Sequence, residues 1–308
     1  MIIISEFIHP KGLNLIQTSG LPHQYDPDLW QSETFYDTLK EAKALIVRNQ
    51  TQVNQTLLNH GSSLNVVGRL GVGLDNIDLK TISEKNIGFV DARGANAASV
   101  AEYVMAAMLH CARKIFAADA DVKQGGWDRA AFGGFELRGK TLGLIGLGDI
   151  GLRVARRANA FDIKVLASDP VRHHKEAVIE ENHIHLASTE EIFEQSDFIS
   201  LHAPLLDSTR QMINEASISM MKKGVYILNT ARGELIDSLA LSKALESGHI
   251  AGAVLDVTDP EPLTTDHILN QSPNVWISPH IAGLTEEAQA QVGIQVAEGV
   301  LNILKGLK

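Results

Sequence analysis

Two stretches carry residues whose types and spacing suit chemistry. TLGLIGLGDIGLRVARR places Gly146, Gly148 and Gly151 in G-x-G-x-x-G spacing, after an apolar strand and at the opening of a helix. Glycine there permits a tight turn, lets the backbone approach a pyrophosphate, and lets helix and strand pack closely. The amides at the helix start then face the phosphates, with the helix dipole favourably oriented. The spacing by itself is a weak signal. Its confirming element is an acid at the end of the next strand, and KVLASDP supplies Asp169. A carboxylate there accepts from ribose hydroxyls and repels a 2′-phosphate, which favours NAD over NADP; Arg172, close by, leaves a partner for that phosphate within reach. The second stretch is WISPHIAGLT, whose His280 is one of 12 histidines. Imidazole titrates near neutral pH and suits general acid–base work. A lone histidine is more often packed or solvated, so His280 takes its meaning from what joins it.

Composition bounds the class. A chain of 308 residues exceeds what one core usually serves, which predicts two domains. Hydrophobic content of 44% with 21% charged residues fits a soluble globular enzyme and excludes disorder. The formal net charge of -10 repels phosphate backbones and anionic lipid, so neither nucleic acid nor a membrane is expected as a partner. The single cysteine, Cys111, excludes an internal disulfide and a cysteine-based zinc site. It shares an apolar helical pattern with Val104, Met108 and Ile115 and reads as core. His173-His174 and His183-x-His185 lack metal-site spacing and read as solvated or packing residues, so no metal is expected. The apolar run of MIIISEFIHP ends at Ser5-Glu6, too short for a secretory signal. No stretch approaches the length of a membrane span, and a cytoplasmic location is expected.

The elements that must position these residues alternate as short apolar runs and helical patterns, the mark of parallel sheets covered by helices. Strands are predicted at 1–4, 44–47, 65–68 and 88–90, with helices near 12–18, 54–60 and 79–85. ANAASVAEYVMAAMLHCARKIF reads as one long buried helix. QGGWDRAAFGGFELRGK follows as an irregular arm whose Trp127, Phe132 and Phe135 need burial, against a second subunit or against its own domain. Strands return at 141–145, 164–167, 198–201, 225–229, 253–256 and 275–278. The last helical pattern, 286–304, has left the second sheet and is free to cross back. The expected architecture is α/β: two Rossmann-like or flavodoxin-like domains with parallel sheets and a cleft between them. The boundaries are 1–94 plus 285–308 for a substrate (catalytic) domain and 95–284 for an NAD-binding Rossmann domain, with hinges near Ala95 and Leu284.

Three further stretches, LNTARGELID, VLDVTDPEPL and SPHIAGLT, join LGVGLDNIDL and SVAEYVMAAML upstream. With these motifs in this order the chain resembles the D-isomer-specific 2-hydroxyacid dehydrogenase family over about residues 44–300, in particular its phosphoglycerate-dehydrogenase-like branch. The resemblance is to that branch without the regulatory extension that some members are expected to carry. The resemblance implies an NAD-dependent oxidoreductase acting on the CH–OH group of 2-hydroxy acids, with hydride transfer at C2. It makes His280 the acid/base, paired with Glu261, whose carboxylate orients the ring and favours its charged form. It makes Arg232 the residue that grips the substrate carboxylate, which a guanidinium does by forking onto two oxygens. The amides at Val72 and Gly73 become the second carboxylate anchor.

The same resemblance assigns cofactor contacts to the glycine loop with Asp149 and Ile150, and to Ala203 and Pro204 on the adenine side. Thr230, Ala231, Arg232 and Asp256 are implied around the nicotinamide, with Asp256 bonding its carboxamide. His280, Ala282 and Gly283 lie near the same ring, and Val72 touches the cofactor from the other domain. His202 is expected to be structural. A homodimer through the 116–140 arm and the cofactor domain is implied as well. The substrate is a small 2-hydroxy or 2-oxo acid. Arg48, at a strand end, and Arg129, in the arm, suggest a second anionic group on it, as in phosphoglycerate- or sulfolactate-like molecules. Other dehydrogenases of the superfamily (phosphite or formate type) and a non-enzymatic NAD-sensing corepressor are the alternatives. Formate oxidation, which moves no proton, leaves Glu261 beside a histidine without a purpose.

Overall fold

The computed structural model describes residues 1–171 and 176–306. Arg172 and the His173-His174 pair lie outside the described residues. The chain divides into two compact units, Met1–Asn96 with Leu284–Lys308, and Ala97–Gly283.

The first unit is built on five parallel strands, β1 (Ile2–Ile4), β2 (His23–Tyr25), β3 (Ala44–Val47), β4 (Val66–Arg69) and β5 (Gly88–Val90), in the order β2-β1-β3-β4-β5. Successive side chains of a strand point to opposite faces. Accordingly Ile3, Leu45 and Val67 enter one core, and Ile2, Ile4, Ala44, Ile46 and Val66 enter another. A sheet buried on both faces needs such unbroken apolar runs, which is why III and ALIV are legible as strands. The helix Glu286–Gly306 covers the second face with Val296, Ala297, Val300 and Leu301. β2 is an addition to the four strands expected here. Its HQY sequence is polar, and it pairs only with β1 at the sheet edge, so no hydrophobic pattern announces it.

The second unit carries seven parallel strands: β6 (Thr141–Ile145), β7 (Lys164–Ser168), β8 (Ile184–Leu186), β9 (Phe198–Leu201), β10 (Val225–Asn229), β11 (Ile250–Leu255) and β12 (Val275–Ile277). Their order, β12-β11-β10-β9-β6-β7-β8, reverses between β6 and β9. Leu142, Leu144 and Val165 pack on one side with the helices Ala97–Ala112 and Asp149–Asn159. Ile145, Leu166 and Ile199 pack on the other side with Ile192 and Leu241 of two further helices.

The single long helix read from 95–116 is two. The first, Ala97–Ala112, buries Val104, Met105, Met108 and Cys111; the second, Ile115–Lys123, buries nothing. Lys114, at φ -38 and ψ 41, leaves the helical region between them. The returning arm then caps the first helix, the Phe135 amide donating to the Ala112 carbonyl at 3.1 Å. The arm's aromatics divide accordingly. Phe135 packs beside Phe198 and Tyr226, while Phe116 and Trp127 stay 75% and 78% exposed. Burial pushes the Cys111 thiol up to about 12, so it stays protonated and inert as a core residue. Among the described residues no helix is long and apolar enough to cross a membrane, and no group of three or more histidine, cysteine or acidic residues is placed to hold a metal.

Candidate active site

In open parallel sheets ligands bind beyond the carboxyl ends of the strands, at the point where strand order reverses. In the second unit that point lies between β6 and β9, and the glycine loop leaves β6 there. Gly146 has φ +100, and a Cβ on it would stand 2.6 Å from the His202 carbonyl oxygen after β9, so only glycine fits. At Gly148 a Cβ would meet nothing within 4 Å. The two glycines thus serve different ends: Gly146 closes the turn, and Gly148 leaves a bare cradle at the start of the helix Asp149–Asn159, whose first amides have no side-chain cap. A pyrophosphate fits that cradle. The buried Thr230 hydroxyl, without a hydrogen-bond partner among the described residues, is a second feature suited to a bound group. Asp169, just past β7, accepts from the Leu147 amide at 2.7 Å and the Val171 amide at 2.8 Å, so its carboxylate is tied to the glycine loop itself. Ala203 and Pro204 follow β9. His202 is held neutral, burial lowering its pKa to about 4, and bonds Ser200 Oγ at 3.0 Å. It is no acid/base at neutral pH.

An alanine at Gly148 is expected to weaken dinucleotide binding about tenfold or more while leaving thermal unfolding within about 1 °C, because its methyl enters open space needed by the phosphates. Titration of protein fluorescence with NADH, alongside a melting curve, checks both halves.

The other candidate residues leave the neighbouring strands β10, β11 and β12. His280 Nδ1 stands 3.2 Å from Glu261 Oε2, with the two side chains 52% and 43% exposed. Since a carboxylate only accepts, Nδ1 donates to it, which leaves Nε2 outside this bond. The Thr258 amide donates to the other oxygen of Glu261 at 3.3 Å, steadying the carboxylate. His280 itself has φ +55, a conformation that costs a non-glycine residue about 1–2 kcal/mol. Asp256, 1% exposed, imposes it. Its backbone carbonyl accepts the His280 amide at 2.9 Å, and its carboxylate accepts the Ile281 amide at 2.8 Å, the Ala282 amide at 2.7 Å and the Ser278 hydroxyl at 2.5 Å. Tyr103 reaches Ser278 from the long helix at 2.5 Å. Burial raises the Tyr103 pKa, with Ser278 opposing and Asp256 adding to the rise, so the phenol remains a donor. Asp256 was expected beside the nicotinamide; its visible work is to grip both sides of the histidine turn.

Arg232 follows β10. Its carbonyl accepts from Asn229 Nδ2 at 2.7 Å, and its guanidinium donates to the Ala231 carbonyl at 2.5 Å. A Cβ on the next residue, Gly233, would overlap the Thr258 carbonyl, so this glycine lets the Arg232 and Glu261 loops touch. Tyr103, Ser278, Thr258 and Gly233 did not emerge from the sequence as site residues. Tyr103 alone carried a signal, as a polar ring on the buried side of an Ala- and Met-rich helix.

In the first unit Val47 pairs with Arg69, so the turns holding Arg48 and Val72-Gly73 leave adjacent strands side by side. Arg129 is exposed in the arm of the second unit.

Two parallel sheets, one bearing a glycine loop with an acid just past its next strand, define a dinucleotide-binding α/β protein. Residues 105–282 match the NAD-binding domain of the D-isomer specific 2-hydroxyacid dehydrogenases. The hydroxypyruvate reductase of Thermotoga maritima is 45% identical over 269 residues, covering 86% of each chain. The D-3-phosphoglycerate dehydrogenase of Archaeoglobus fulgidus is 38% identical over 306 residues, 99% of this chain and 58% of that protein. The present chain therefore spans little more than half the length of that relative. A D-lactate dehydrogenase from Aquifex aeolicus, solved with NAD and lactic acid, superposes with a TM-score of 0.85 at 31% identity, covering 99% of this chain and 95% of that one. The chain belongs to the D-isomer specific 2-hydroxyacid dehydrogenase family, a family of NAD-dependent oxidoreductases.

Proposed function

We propose that this protein is an NAD-dependent D-2-hydroxyacid dehydrogenase working as a 2-oxo acid reductase, with His280 as acid/base and a substrate that carries a second anionic group. The observation that carries the reading is the His280–Glu261 pair, locked by Asp256 in a backbone conformation that a histidine does not adopt without cause. A nicotinamide dinucleotide held by the glycine loop would supply the hydride that the substrate's C2 needs. His280 gives a proton from Nε2 to the carbonyl oxygen as the alcohol forms, and Glu261 on Nδ1 holds the ring and balances its charge. Arg232 takes the substrate carboxylate and polarises the carbonyl, and the Val72 and Gly73 amides are assigned to the same carboxylate. Cofactor contacts are assigned to the glycine loop with Asp149 and Ile150, to Asp169, and to the Ala203–Pro204, Thr230–Ala231 and Ala282–Gly283 turns, with Val72 added. Asp169 supports NAD over NADP. The first unit is the substrate domain in this reading, the second the cofactor domain.

The test is oxidation of NADH and of NADPH by the purified protein with glyoxylate, pyruvate, hydroxypyruvate and 3-phosphohydroxypyruvate. Turnover with NADH, highest on the phosphorylated acid, is expected. Equal use of both cofactors would remove the NAD assignment, and no turnover with any oxo acid would point to a non-catalytic role. The relatives named hydroxypyruvate reductase and phosphoglycerate dehydrogenase make those two substrates the informative pair.

The arm is assigned to a homodimer. Ile115 (66% exposed) and Phe116 lie on a helix that buries nothing of its own, and Trp127 is exposed in the irregular stretch that follows it, apolar groups suited to a second subunit. Sedimentation as a dimer is expected, with Trp127→Glu shifting it toward monomer; a wild-type monomer at micromolar concentration removes the assignment.

A further inference from the structure

The sheet of the first unit also has a place where strand order reverses, between β1 and β3. There the crevice holds a side chain of the protein itself. Glu6, two residues past β1 and 3% exposed, accepts four consecutive backbone amides from the turn after β3. Oε1 takes Arg48 and Thr51, each at 2.9 Å, and Oε2 takes Asn49 at 3.1 Å and Gln50 at 2.9 Å. Consecutive amides converging in this way form an anion nest, normally a ligand site. Asn76 secures the carbonyl side of the same turn, donating to the Arg48 carbonyl at 3.1 Å and the Thr51 carbonyl at 2.7 Å. Both polarities of the turn's backbone are thus used inside the protein.

What the turn leaves over is the Arg48 side chain. Its guanidinium lies 5.7 Å from the centre of the Phe7 ring, and no carboxylate bonds it among the described residues. Glu6 has its acceptor positions filled by amides, so it lends Arg48 a nearby negative charge without occupying its donors. Burial acts to raise the Glu6 pKa; the Gln50, Thr51 and Arg48 amides together outweigh it, and the carboxylate stays ionised. Burial lowers the pKa of Arg48 and the Glu6 charge opposes that, which keeps a cation at this strand end.

We infer that Glu6 is a positioning residue for substrate choice: by holding the 48–51 turn it sets the Arg48 guanidinium to receive a second anionic group, so that 2-oxo acids carrying one on C3 are selected. The inference rests on the proposed 2-oxo acid reductase reading. Glu6→Gln keeps the shape but turns an amide hydrogen toward the nest, whereas Glu6→Asp keeps the charge on a shorter stem. Glu6→Gln is expected to raise KM for 3-phosphohydroxypyruvate about tenfold or more, with kcat within about twofold and KM for hydroxypyruvate within about threefold. Arg48→Gln reproduces that split, and Glu6→Asp recovers part of the loss.

Amide hydrogen exchange gives a separate readout. Glu6→Gln is expected to lose protection at 48–51, and Arg48→Gln to keep it. Equal KM losses on both substrates, or lost protection with unchanged selectivity, would leave Glu6 a structural residue only and overturn the inference. If the wild type turns over no 2-oxo acid, the reductase reading fails by itself. The role of Glu6 is then decided by calorimetric titration with 3-phosphoglycerate, which the wild type must bind about tenfold more tightly than Glu6→Gln does. Equal affinities, or binding by neither, would end it.

Discussion

His280→Asn is expected to lower kcat for 2-oxo acid reduction by about 10²–10⁴, the usual worth of a positioned general acid. Asparagine suits the test because it tolerates the left-handed backbone that His280 adopts at φ +55. It retains a polar side chain near Glu261 but has no group able to give up a proton near neutral pH. Asp256 makes its hydrogen bonds to backbone groups of the turn and to Ser278, none of them through the imidazole, so the turn survives the exchange. Melting temperature and NADH affinity are therefore expected to stay close to wild type while turnover collapses. A variant that keeps more than a third of wild-type kcat would remove His280 from the chemistry. A parallel fall in NADH binding would move its role to the cofactor.

Gly233→Ala is expected to lower kcat/KM by about 10²-fold and to cost about 1–3 kcal/mol of stability, although it adds one methyl group outside the side chains proposed for the chemistry. That methyl would overlap the carbonyl group of Thr258 and crowd the Asp259 nitrogen, backbone atoms that cannot rotate aside. The 258–261 loop must then retreat. Glu261 is tied to that loop through the Thr258 amide, so the carboxylate leaves His280 as the loop moves away from Arg232. Activity and melting temperature should fall together, and Glu261→Gln in the Gly233→Ala background should cost much less than in the wild type. Additive losses from the two changes would show that Gly233 and Glu261 are not coupled in this way.

Much of the scaffold was legible without coordinates. III, ALIV and VYILN are strands because two-sided burial demands unbroken apolar runs. The glycine loop was legible because close backbone approach admits only one residue type. The edge strand His23–Tyr25 was not legible, having no apolar pattern. The helix break at Lys114 escaped for a related reason, since LHCARKIF continues a plausible helical pattern through a point where the returning arm takes over the Ala112 carbonyl. For Asp256 the motif implied a ligand contact, and the structure adds three hydrogen bonds that build the histidine turn.

The sequence by itself determined the α/β class, the place of the glycine loop and the residue types suited to acid–base work, all of which follow from local periodicity and from backbone demands felt within a few residues. Only the tertiary structure decided that Glu6 fills the nest 42 to 45 residues away, that Gly233 admits the Thr258 backbone, and that Tyr103 supports Ser278 across 175 residues of chain. Such contacts leave no local trace, because they depend on which strand ends the fold brings side by side, and neighbouring strands in these sheets are seldom neighbours in sequence.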